Sequence, residues 1–441
     1  MKHKLLFIQA TQYGQNSKNL CKQNPLMFPD LAFPLLAAMT PDNWEVDIKL
    51  EVIEDIDFDA DVDLVGIGAM GPAIFRAIEI ADEFRKRGKT VFFGGYMVSM
   101  APSLVKSHTD SIVIGNAEIA YPKLLKDWEE KGRLQEIYDY PVNSLEGLPV
   151  PKYEDLAEKE IGPLLPVNSG RGCPNSCTFC SIACLYKGKY LTRPVDEVVR
   201  DILKIKSMGY KGFFLIDDNI FGNPEYLEEL CKRIKPLKMF WMSQCSLELA
   251  KNPRLLKLVV ESGCKILNFG IETVSQEGIN KLGKKWLQVH EYETHLKTIK
   301  EAGLILSVTM MLGTDGDTEQ SIKATYAFIK RAKIQIVRIC ILTPFPGTPL
   351  YTQLKKQGRL LHEYHKKYNG ITCVHLPEKI SPDKLDEMYI WINQKLYTIP
   401  SIIYRVLLSK STFKNPKLTF FTLLVNLKYR NSMKRGDMVT P

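Results

Sequence analysis

The sequence predicts an α/β protein made of a doubly wound parallel sheet, a partial barrel and a helical end. Strand-sized apolar runs alternate with helix-like runs over residues 4–128, and the same alternation resumes at residue 164. A polar connector with several prolines and acids separates the two series. We therefore expect a Rossmann-like domain with its connector at 1–160, a TIM-type barrel at 161–350, and a helical segment with a basic amphipathic tail at 351–441.

Five apolar runs in the first domain are typical of buried parallel strands; they are residues 5–8, 46–50, 64–68, 90–95 and 111–115. Residues 73–87, between two of these runs, carry apolar side chains at helical spacing and end in basic residues, which a helix C-terminus favours. Short strands that alternate with helices indicate a doubly wound sheet.

Small residues dominate the ends of three of these strands, where ligands of doubly wound sheets bind. The residues we assign to this edge are Gly68, Ala69, Gly94, Gly95, Tyr96, Gly115 and Glu118. Because glycine has no side chain, a bulky ligand can approach the backbone closely. The glycine-rich fingerprint of NAD-binding proteins is missing from the first turn, residues 9–14, which argues against a dinucleotide.

Six strand–helix units follow the connector and predict a partial (β/α)6 barrel; the strands are residues 164–167, 212–216, 239–243, 266–270, 304–311 and 334–339. Acidic residues stand where two of these strands end: Asp217 and Asp218 after the second strand, and Glu272 after the fourth. Active sites of such barrels lie at the carboxyl ends of the strands.

Three cysteines, Cys173, Cys177 and Cys180, follow the first barrel strand at C-x3-C-x2-C spacing. Such short steps let one loop aim three sulfurs at one point, as a cubic iron–sulfur cluster requires. A zinc site would need a fourth ligand and usually two separated pairs. We therefore expect a 4Fe-4S cluster with one iron open to a further ligand. The alternative, three reduced core cysteines, is disfavoured because proline, asparagine and serine fill the gaps between them.

Charge is concentrated at the end of the chain. The net charge is +9, and eight Lys and Arg residues against one acid, Asp437, place +7 of it after residue 400. A nearly neutral body does not indicate nucleic-acid binding. Apolar and aromatic residues between these charges predict a membrane-surface segment, which would suit a lipid-like substrate; a packing helix with a disordered basic tail is the alternative.

The other composition signals favour a cytoplasmic protein. Ten cysteines, clustered at 173–180 and otherwise scattered, fit a reducing compartment better than secretion. The first residues lack the pattern of a signal peptide, and no apolar run reaches the ~20 residues of a membrane span. We expect a cytoplasmic location, with association at the inner face of the membrane if the tail binds lipid.

The order of these features resembles the cobalamin-binding (B12-binding) branch of the radical S-adenosylmethionine (SAM) superfamily over about residues 1–350. The matching landmarks are the cysteine motif with Phe179 inside it, Asp217-Asp218-Asn219-x-Phe221, Gly270-Ile271-Glu272-Thr273, Lys284-Lys285, Gly313-x-x-Gly316-Asp317-Thr318 and Pro344-Phe345-Pro346-Gly347-Thr348-Pro349. The cysteine motif is the strong signal, and the others follow in the family's order.

The resemblance implies roles for residues in both domains. Cys173, Cys177 and Cys180 would ligate the cluster, and SAM would chelate its open iron. Phe179 would lie against the adenine of SAM. Asp217 or Asp218, together with Glu272, would serve the amino group and ribose of SAM, since an ammonium and two hydroxyls need carboxylate acceptors.

Cobalamin, by the same resemblance, would lie across the strand ends at 68–72, 94–97 and 115–118. The D-x-H-x-x-G signature that supplies a histidine to cobalt is missing, and no histidine lies between His3 and His108. Cobalamin would therefore bind without a histidine lower ligand.

The activity implied is that of a cobalamin-dependent radical SAM methyltransferase acting on an unactivated carbon of a small or lipid-like substrate. Methylcobalamin would supply the methyl group, a 5′-deoxyadenosyl radical would activate the substrate, and an external one-electron reductant of the flavodoxin or ferredoxin type would start the cycle. Two alternatives stay open: a radical cyclase or oxidoreductase using the same cofactors, and a non-catalytic cobalamin- or redox-responsive binding protein. No catalytic residue beyond the cofactor ligands is assigned.

Overall fold

The computed structural model describes residues 2–14, 19–364, 366–409 and 415–434. The described residues form two compact units. Unit 1 comprises those of Met1–Asn168 and Leu191–Tyr210, and unit 2 those of Ser169–Tyr190 and Lys211–Pro441.

Helices and strands alternate along both units. In chain order they are β1 (His3–Gln9), α1 (Ala32–Met39), β2 (Trp44–Leu50), β3 (Leu64–Gly68), α2 (Ile74–Lys86), β4 (Thr90–Gly94), α3 (Tyr96–Met100), β5 (Ser111–Ile114), α4 (Ala120–Lys131), β6 (Ile137–Asp139), α5 (Glu154–Ala157), β7 (Leu165–Val167), β8 (Gly170–Gly172), α6 (Ser181–Tyr186), β9 (Tyr190–Thr192), α7 (Val195–Ser207), β10 (Gly212–Leu215), α8 (Pro224–Ile234), β11 (Phe240–Cys245), α9 (Pro253–Glu261), β12 (Cys264–Glu272), α10 (Gln276–Lys281), α11 (Tyr292–Glu301), β13 (Ile305–Leu312), α12 (Glu319–Arg331), β14 (Ile336–Ile341), α13 (Pro349–Lys356), α14 (Pro382–Leu396), α15 (Ile399–Leu407) and α16 (Pro416–Lys434).

Unit 1 contains a six-stranded parallel sheet in the order β2-β1-β3-β4-β5-β6. The register sets Phe7 beside Ile48 on one side and Gly66 on the other. The five predicted strands are all present. Four of them are largely buried apolar runs, whereas β2, at the edge of the sheet, alternates buried and exposed residues. The doubly wound sheet is confirmed, and its strand order reverses between β1 and β3, the switch point near which such sheets bind ligands.

The sixth strand, β6, was not predicted. It lies in the polar connector and is three residues long, with Tyr138 buried between two exposed neighbours. The Tyr138 hydroxyl donates a hydrogen bond to the buried carboxylate of Asp127 on α4, 2.8 Å away. Neither feature is a strand signal in the sequence, since so short an alternation is common in loops.

Unit 2 contains five parallel strands in the order β14-β13-β12-β11-β10. Helices α8, α9, α11 and α12 follow the strands in turn, and each buries an apolar face. The first predicted barrel strand is also present, as β7 in unit 1. The α/β class, with a second series of parallel strands and helices and a helical end, is confirmed, whereas the domain bounds at 160 and 350 stay predictions.

The C-terminal helices cover β14. The Arg405 guanidinium donates to the carbonyls of Ile334 (2.9 Å) and Gln335 (3.1 Å), and the Tyr397 hydroxyl donates to that of Val337. Three of the predicted tail charges, Lys410, Lys414 and Arg435, lie outside the described residues. Within the described ranges, no helix is long and apolar enough to cross a membrane.

Candidate functional site

The three cysteines lie in the stretch Ser169–Tyr190, which we call the cysteine segment, and Asp217 anchors it. This carboxylate is fully buried; its Oδ1 accepts a hydrogen bond from the Ser169 amide (2.8 Å), and its Oδ2 accepts from the Ser169 hydroxyl (2.6 Å) and the Tyr190 hydroxyl (2.9 Å). Burial raises the pKa of Asp217 to about 6, although these hydrogen bonds oppose the shift. Because Ser169 and Tyr190 are the two ends of the segment, one side chain fixes both.

The next two residues, Asp218 and Asn219, contact the start of the cysteine loop. Asp218 Oδ2 accepts a hydrogen bond from the Gly172 amide at 2.9 Å. Burial raises the pKa of Asp218 to about 7, and the neighbouring Asp217 adds to the shift. The Asn219 side-chain amide lies 3.7 Å from Cys173 Sγ, and its oxygen is held by the amides of Phe221 and Ser246. The end of β10 therefore supplies both a carboxylate and an amide donor to this loop.

The three thiols lie close enough to influence one another's ionisation. The pKa of Cys177 is raised to about 12, mainly by burial; Lys284 opposes the shift, and the charges of Cys180, Glu272 and Cys173 contribute to it. Burial also raises the pKa of Cys180. Thiols that bind a metal must lose their protons, so a cluster bound through these cysteines would release protons. Over the described ranges, no three His, Cys, Asp or Glu side chains are grouped to hold a single metal ion.

Cys184 does not point its donor into this group. Its thiol donates to the Cys180 carbonyl, 3.2 Å away, as a residue one turn along α6. Cys180 itself begins that helix. This is a local hydrogen bond from a side chain to the backbone four residues earlier, and it engages the Cys184 thiol within the helix.

Backbone contacts hold the loop between the second and third cysteines. The Thr178 amide donates to the Leu282 carbonyl (3.1 Å), and the Thr178 carbonyl accepts from the Leu350 amide (3.0 Å). Phe179 packs against the buried cluster of Leu282, Met311 and Leu342. The aromatic residue of the motif thus lies on the apolar wall at the ends of the barrel strands.

Glu272, at the end of β12, forms a buried ion pair with Lys284. The Lys284 ammonium contacts the Glu272 carboxylate, donates to the Gly270 carbonyl (3.0 Å) and lies 5.9 Å from the centre of the Phe179 ring. Burial alone would lower the pKa of Lys284, but Glu272 and the cysteines Cys177 and Cys180 raise it above its usual value. The site therefore keeps a cation beside the thiols.

The backbone at this pair is specialised. Glu272 has a φ of 67°, in the left-handed region that non-glycine residues rarely adopt, and it coincides with an irregularity in the pairing of β12 with β13. A Cβ at Gly270 would lie 2.5 Å from Glu272 Oε1. Strained φ values of this kind concentrate at functional sites.

Unit 2 thus brings together Cys173, Cys177, Cys180, Phe179, Asp218 and Glu272. Sequence reasoning missed Lys284, Asn219 and Tyr190 as parts of the site. Asn219 belongs to the Asp217-Asp218-Asn219-x-Phe221 motif and Lys284 to Lys284-Lys285. Their positions in these motifs were the signal that could have identified them as site residues. Tyr190 carries no such signal, because its partner Asp217 is 27 residues away.

The carboxyl edge of the unit 1 sheet brings together the other predicted residues. Gly95 (φ 101°) and Gly115 (φ 72°) adopt left-handed conformations that favour glycine. A Cβ at Gly94 would meet Val113 at an ordinary 3.9 Å, and one at Gly115 would meet nothing within 4 Å. The edge therefore has open space beside the backbone at β4 and β5.

Contacts around this space fix the loops after the strands. The Tyr96 hydroxyl accepts a hydrogen bond from the Gly71 amide (2.9 Å), and burial raises the pKa of Tyr96 to about 12. The Gly115 amide donates to the Ser99 hydroxyl at 2.8 Å. Gly68 ends β3, the buried Ala69 follows it, and the partly buried Glu118 follows β5. The neighbouring Met70 is 57% exposed, so the edge also presents apolar surface.

Histidines of unit 1 lie elsewhere. His3 begins β1 and stacks against Trp44 with ring centres 4.7 Å apart. His108 lies before β5 and its Nδ1 is 2.9 Å from Asp82 Oδ1. Both are at the amino ends of their strands, so the described part of unit 1 places no histidine at the carboxyl edge.

Comparisons with known proteins show what the chain as a whole is similar to. The Radical SAM superfamily model matches residues 167–329. Two methyltransferases of Chlorobaculum tepidum are similar along most of their length. Bacteriochlorophyllide d C-8(2)-methyltransferase is 28% identical over 403 residues, covering 87% of this chain and 88% of its own. Bacteriochlorophyllide d C-12(1)-methyltransferase is 26% identical over 354 residues, covering 78% and 76%. Hopanoid C-2 methylase of Rhodopseudomonas palustris is 26% identical over 370 residues, covering 80% and 69%.

Two solved structures share the fold. The radical SAM methyltransferase TsrM from Kitasatospora setae, with cobalamin and a [4Fe-4S] cluster bound, has a TM-score of 0.66 at 16% identity and covers 81% of this chain and 78% of its own. The cobalamin-dependent SAM radical enzyme OxsB, with aqua-cobalamin and SAM bound, has a TM-score of 0.69 at 12% identity and covers 96% and 72%. The superfamily match over the cysteine segment and the relatives along most of the chain identify it as a radical SAM enzyme, and its fold is that of solved cobalamin-dependent members of the superfamily.

Proposed function

We propose that the chain is a cobalamin-dependent methyltransferase that methylates an unactivated carbon of a small or lipid-like substrate. The observation that carries the proposal is the similarity to carbon methyltransferases, which covers 87% of this chain in one relative and therefore includes parts of both units. Tetrapyrrole and hopanoid relatives both act on large apolar molecules, which supports the lipid-like class.

The cysteine segment fits a 4Fe-4S cluster, because one loop anchored at both ends carries the three thiols. The Asn219 amide lies beside Cys173, and the Lys284 ammonium lies beside Phe179 of the same loop. Cys173, Cys177 and Cys180 would hold it. The cluster, when bound with SAM, supplies the electron that generates a 5′-deoxyadenosyl radical, and an external flavodoxin or ferredoxin would supply that electron to the protein. Asn219 would donate to the Cys173 sulfur and so lower the charge there.

SAM would be held by the side chains around the same loop. Asp218 and Glu272 would accept hydrogen bonds from its ammonium and ribose hydroxyls, and Phe179 would lie against its adenine. Asp217 already accepts three hydrogen bonds from the cysteine segment, so we assign it the positioning of that segment. Of the two aspartates that the sequence left open, Asp218 is therefore the one we propose for SAM.

The sheet edge of unit 1 fits cobalamin, because side chains added at Gly94 or Gly115 would fill open space at the carboxyl ends. Gly68, Ala69, Gly94, Gly95, Tyr96, Gly115 and Glu118 would surround it. Cobalamin, when bound, supplies the methyl group that the substrate receives. It would bind without a histidine lower ligand, since His3 and His108 lie at the amino ends of the strands.

Anaerobic reconstitution with iron, sulfide and hydroxocobalamin tests the proposal. We expect about four irons and one cobalamin per chain, and transfer of label from methyl-labelled SAM into an added tetrapyrrole or hopanoid. SAM cleavage with no label in any product would favour the cyclase or oxidoreductase alternative. A reduced, cluster-loaded protein that does not cleave SAM would favour the non-catalytic alternative.

We also propose that the C-terminal helices bind the surface of an anionic membrane. On α16 the buried residues include the polar Thr422 and Asn426, whereas Phe420, Leu424 and Leu427 are exposed, Phe420 by 64%. The exposed three recur at i, i+4 and i+7, so they lie on one face. Residues 399–434 contain no Asp or Glu, and their exposed positions include Lys417 and Lys428. An apolar face beside basic side chains suits anionic lipid.

Co-sedimentation with phosphatidylglycerol vesicles tests the membrane proposal. Replacing two exposed residues in Phe420→Ser/Leu424→Ser removes apolar area that the lipid would bury, so we expect binding to fall about tenfold. Leu203→Ser on α7, where Leu203 is 46% exposed, is the matched control and keeps wild-type binding. Equal binding by the wild type and the double variant would exclude α16 as the contact.

A further inference from the structure

The interior face of the unit 2 sheet carries a row of polar side chains. The strand register sets Gln244 beside Asn268, Asn268 beside Ser307, and Thr309 beside Arg338. Residues paired in this way share one face of a parallel sheet. The alternate residues, such as Phe269, Val308 and Val337, are fully buried on the opposite face.

Hydrogen bonds along this row satisfy its neutral members. The Ser307 hydroxyl donates to Asn268 Oδ1 (2.9 Å), and the Asn268 amide lies 3.4 Å from the Thr309 hydroxyl. On β14, Arg338 and Cys340 are partly exposed while the other four residues are buried, so space adjoins this face. The row ends at Arg338.

Arg338 has no acidic partner among the residues that the structure describes. No Asp or Glu side chain of that part of the chain forms an ion pair with it, whereas Arg331 and Arg359 each have one. The charges of the Cys340 thiol on its own strand, and of Tyr429 on α16 and Tyr389 on α14, raise the pKa of Arg338. A guanidinium in a sheltered site is costly unless an anion accompanies it.

The position of Arg338 connects it with the candidate cofactor site. Cys340, two residues further along the same face, packs against the cluster of Leu282, Met311 and Leu342 that also contacts Phe179. Arg338 is therefore one side chain deeper in the barrel than the wall of the cysteine loop.

We propose that Arg338 binds a carboxylate group inside the barrel, contributed by an acid-bearing substrate or by SAM. A guanidinium presents paired donors that match the two oxygens of a carboxylate, and Thr309, which the register sets beside Arg338, offers a further hydroxyl. The inference rests on the proposed function only in taking the barrel interior as the place where the reacting molecules lie.

Alkylation of Cys340 reports on this charge without any methyl transfer. The cluster-loaded protein is treated with anionic iodoacetate or neutral iodoacetamide, and modification is followed by peptide mass spectrometry. Because Arg338 would attract the anion, we expect the iodoacetate-to-iodoacetamide rate ratio at Cys340 to exceed that at Cys184 by about fivefold. Equal ratios at the two cysteines of the wild type would overturn the proposal.

Two variants separate charge from fold. Arg338→Lys keeps the cation and retains most of the preference for iodoacetate, whereas Arg338→Gln reduces it to the level of Cys184. A preference that survives Arg338→Gln would also overturn the proposal. Because alkylation needs neither cobalamin nor turnover, this result is independent of whether the protein transfers methyl groups.

Protection distinguishes the two sources of the carboxylate. Protection of Cys340 by SAM but not by 5′-methylthioadenosine, which lacks the carboxylate, assigns the anion to SAM. Protection by dodecanoate but not by dodecanol assigns it to an acid-bearing apolar substrate. Failure of both SAM and dodecanoate to protect would contradict carboxylate binding at Arg338.

Discussion

The two candidate cofactor sites are built in opposite ways. The cysteine segment of unit 2 is held by side chains: Asp217 accepts three hydrogen bonds, Asp218 accepts one, and Lys284 pairs with Glu272. The sheet edge of unit 1 is formed by the lack of side chains, with open space beside Gly94 and Gly115. The first site fixes a few donor atoms, and the second leaves room for a large surface.

This difference matches what each kind of ligand requires. A cluster is bound through a few sulfur atoms whose positions must be accurate, so its loop is anchored at both ends. A cofactor of the size of cobalamin is bound over a wide area, so the shape of the edge matters more than any one donor. Substitutions should therefore act through single contacts in unit 2 and through volume in unit 1.

The largest effect is expected from removing one cluster ligand. Cys177→Ala leaves two of the three thiols, so we expect loss of the iron-dependent absorbance near 400 nm and of SAM cleavage. Cys184→Ala removes a thiol that donates to the Cys180 carbonyl within α6 and keeps both signals. Iron and sulfide analysis after anaerobic reconstitution measures the difference; equal iron content in the two variants would exclude Cys177 as a ligand.

A smaller effect is expected from removing the anchor. Asp217→Ala leaves the Ser169 and Tyr190 donors without their acceptor in a buried site, which costs about 3 kcal/mol of unfolding free energy. Tyr190→Phe removes one of the three hydrogen bonds and costs about 1 kcal/mol. Urea unfolding of the apo-protein measures both. Equal stability of Asp217→Ala and Tyr190→Phe would show that the carboxylate does not hold the two ends together.

The smallest effect tests volume at the sheet edge. Gly94→Val fills open space without contacting other side chains closely, so we expect stability to change by less than about 0.5 kcal/mol. The affinity for cobalamin should fall about tenfold, because the added methyl groups would occupy space that the cofactor fills at the sheet edge. Thr90→Val, at the other end of β4, is the matched control and should bind as the wild type does in equilibrium dialysis. Unchanged binding by Gly94→Val would remove this edge from the cobalamin site.

Much of the fold could be predicted because most of its strands are buried apolar runs. Continuous apolar runs such as 5–8 and 64–68 are strong local signals, and strands lie where they indicated. The strand predicted at 334–339 contains Gln335 and Arg338, and it lies two residues later, at Ile336–Ile341. The strand β6 could not be predicted, because three residues with one buried side chain do not differ from a loop.

The sites were predictable to a different degree. The spacing of Cys173, Cys177 and Cys180 is a local pattern, so the segment was found from the sequence alone. The different roles of Asp217 and Asp218 depend on which carboxylate points toward Ser169 and Tyr190. The sequence around two adjacent aspartates does not show in which direction each side chain points. Lys284 likewise reaches Glu272 across 12 residues through a left-handed turn.

The attachment of both ends of the cysteine segment to Asp217 has a consequence for assembly of the enzyme. Hydrogen bonds to Asp217 hold both ends of the segment from Ser169 to Tyr190. The conformational entropy that the segment loses on becoming ordered is therefore lost when the chain folds, and not when iron binds. The apo-protein is then a preformed receptor for the cluster. Oxygen damage that removes the iron would leave that receptor in place, ready to be refilled without refolding.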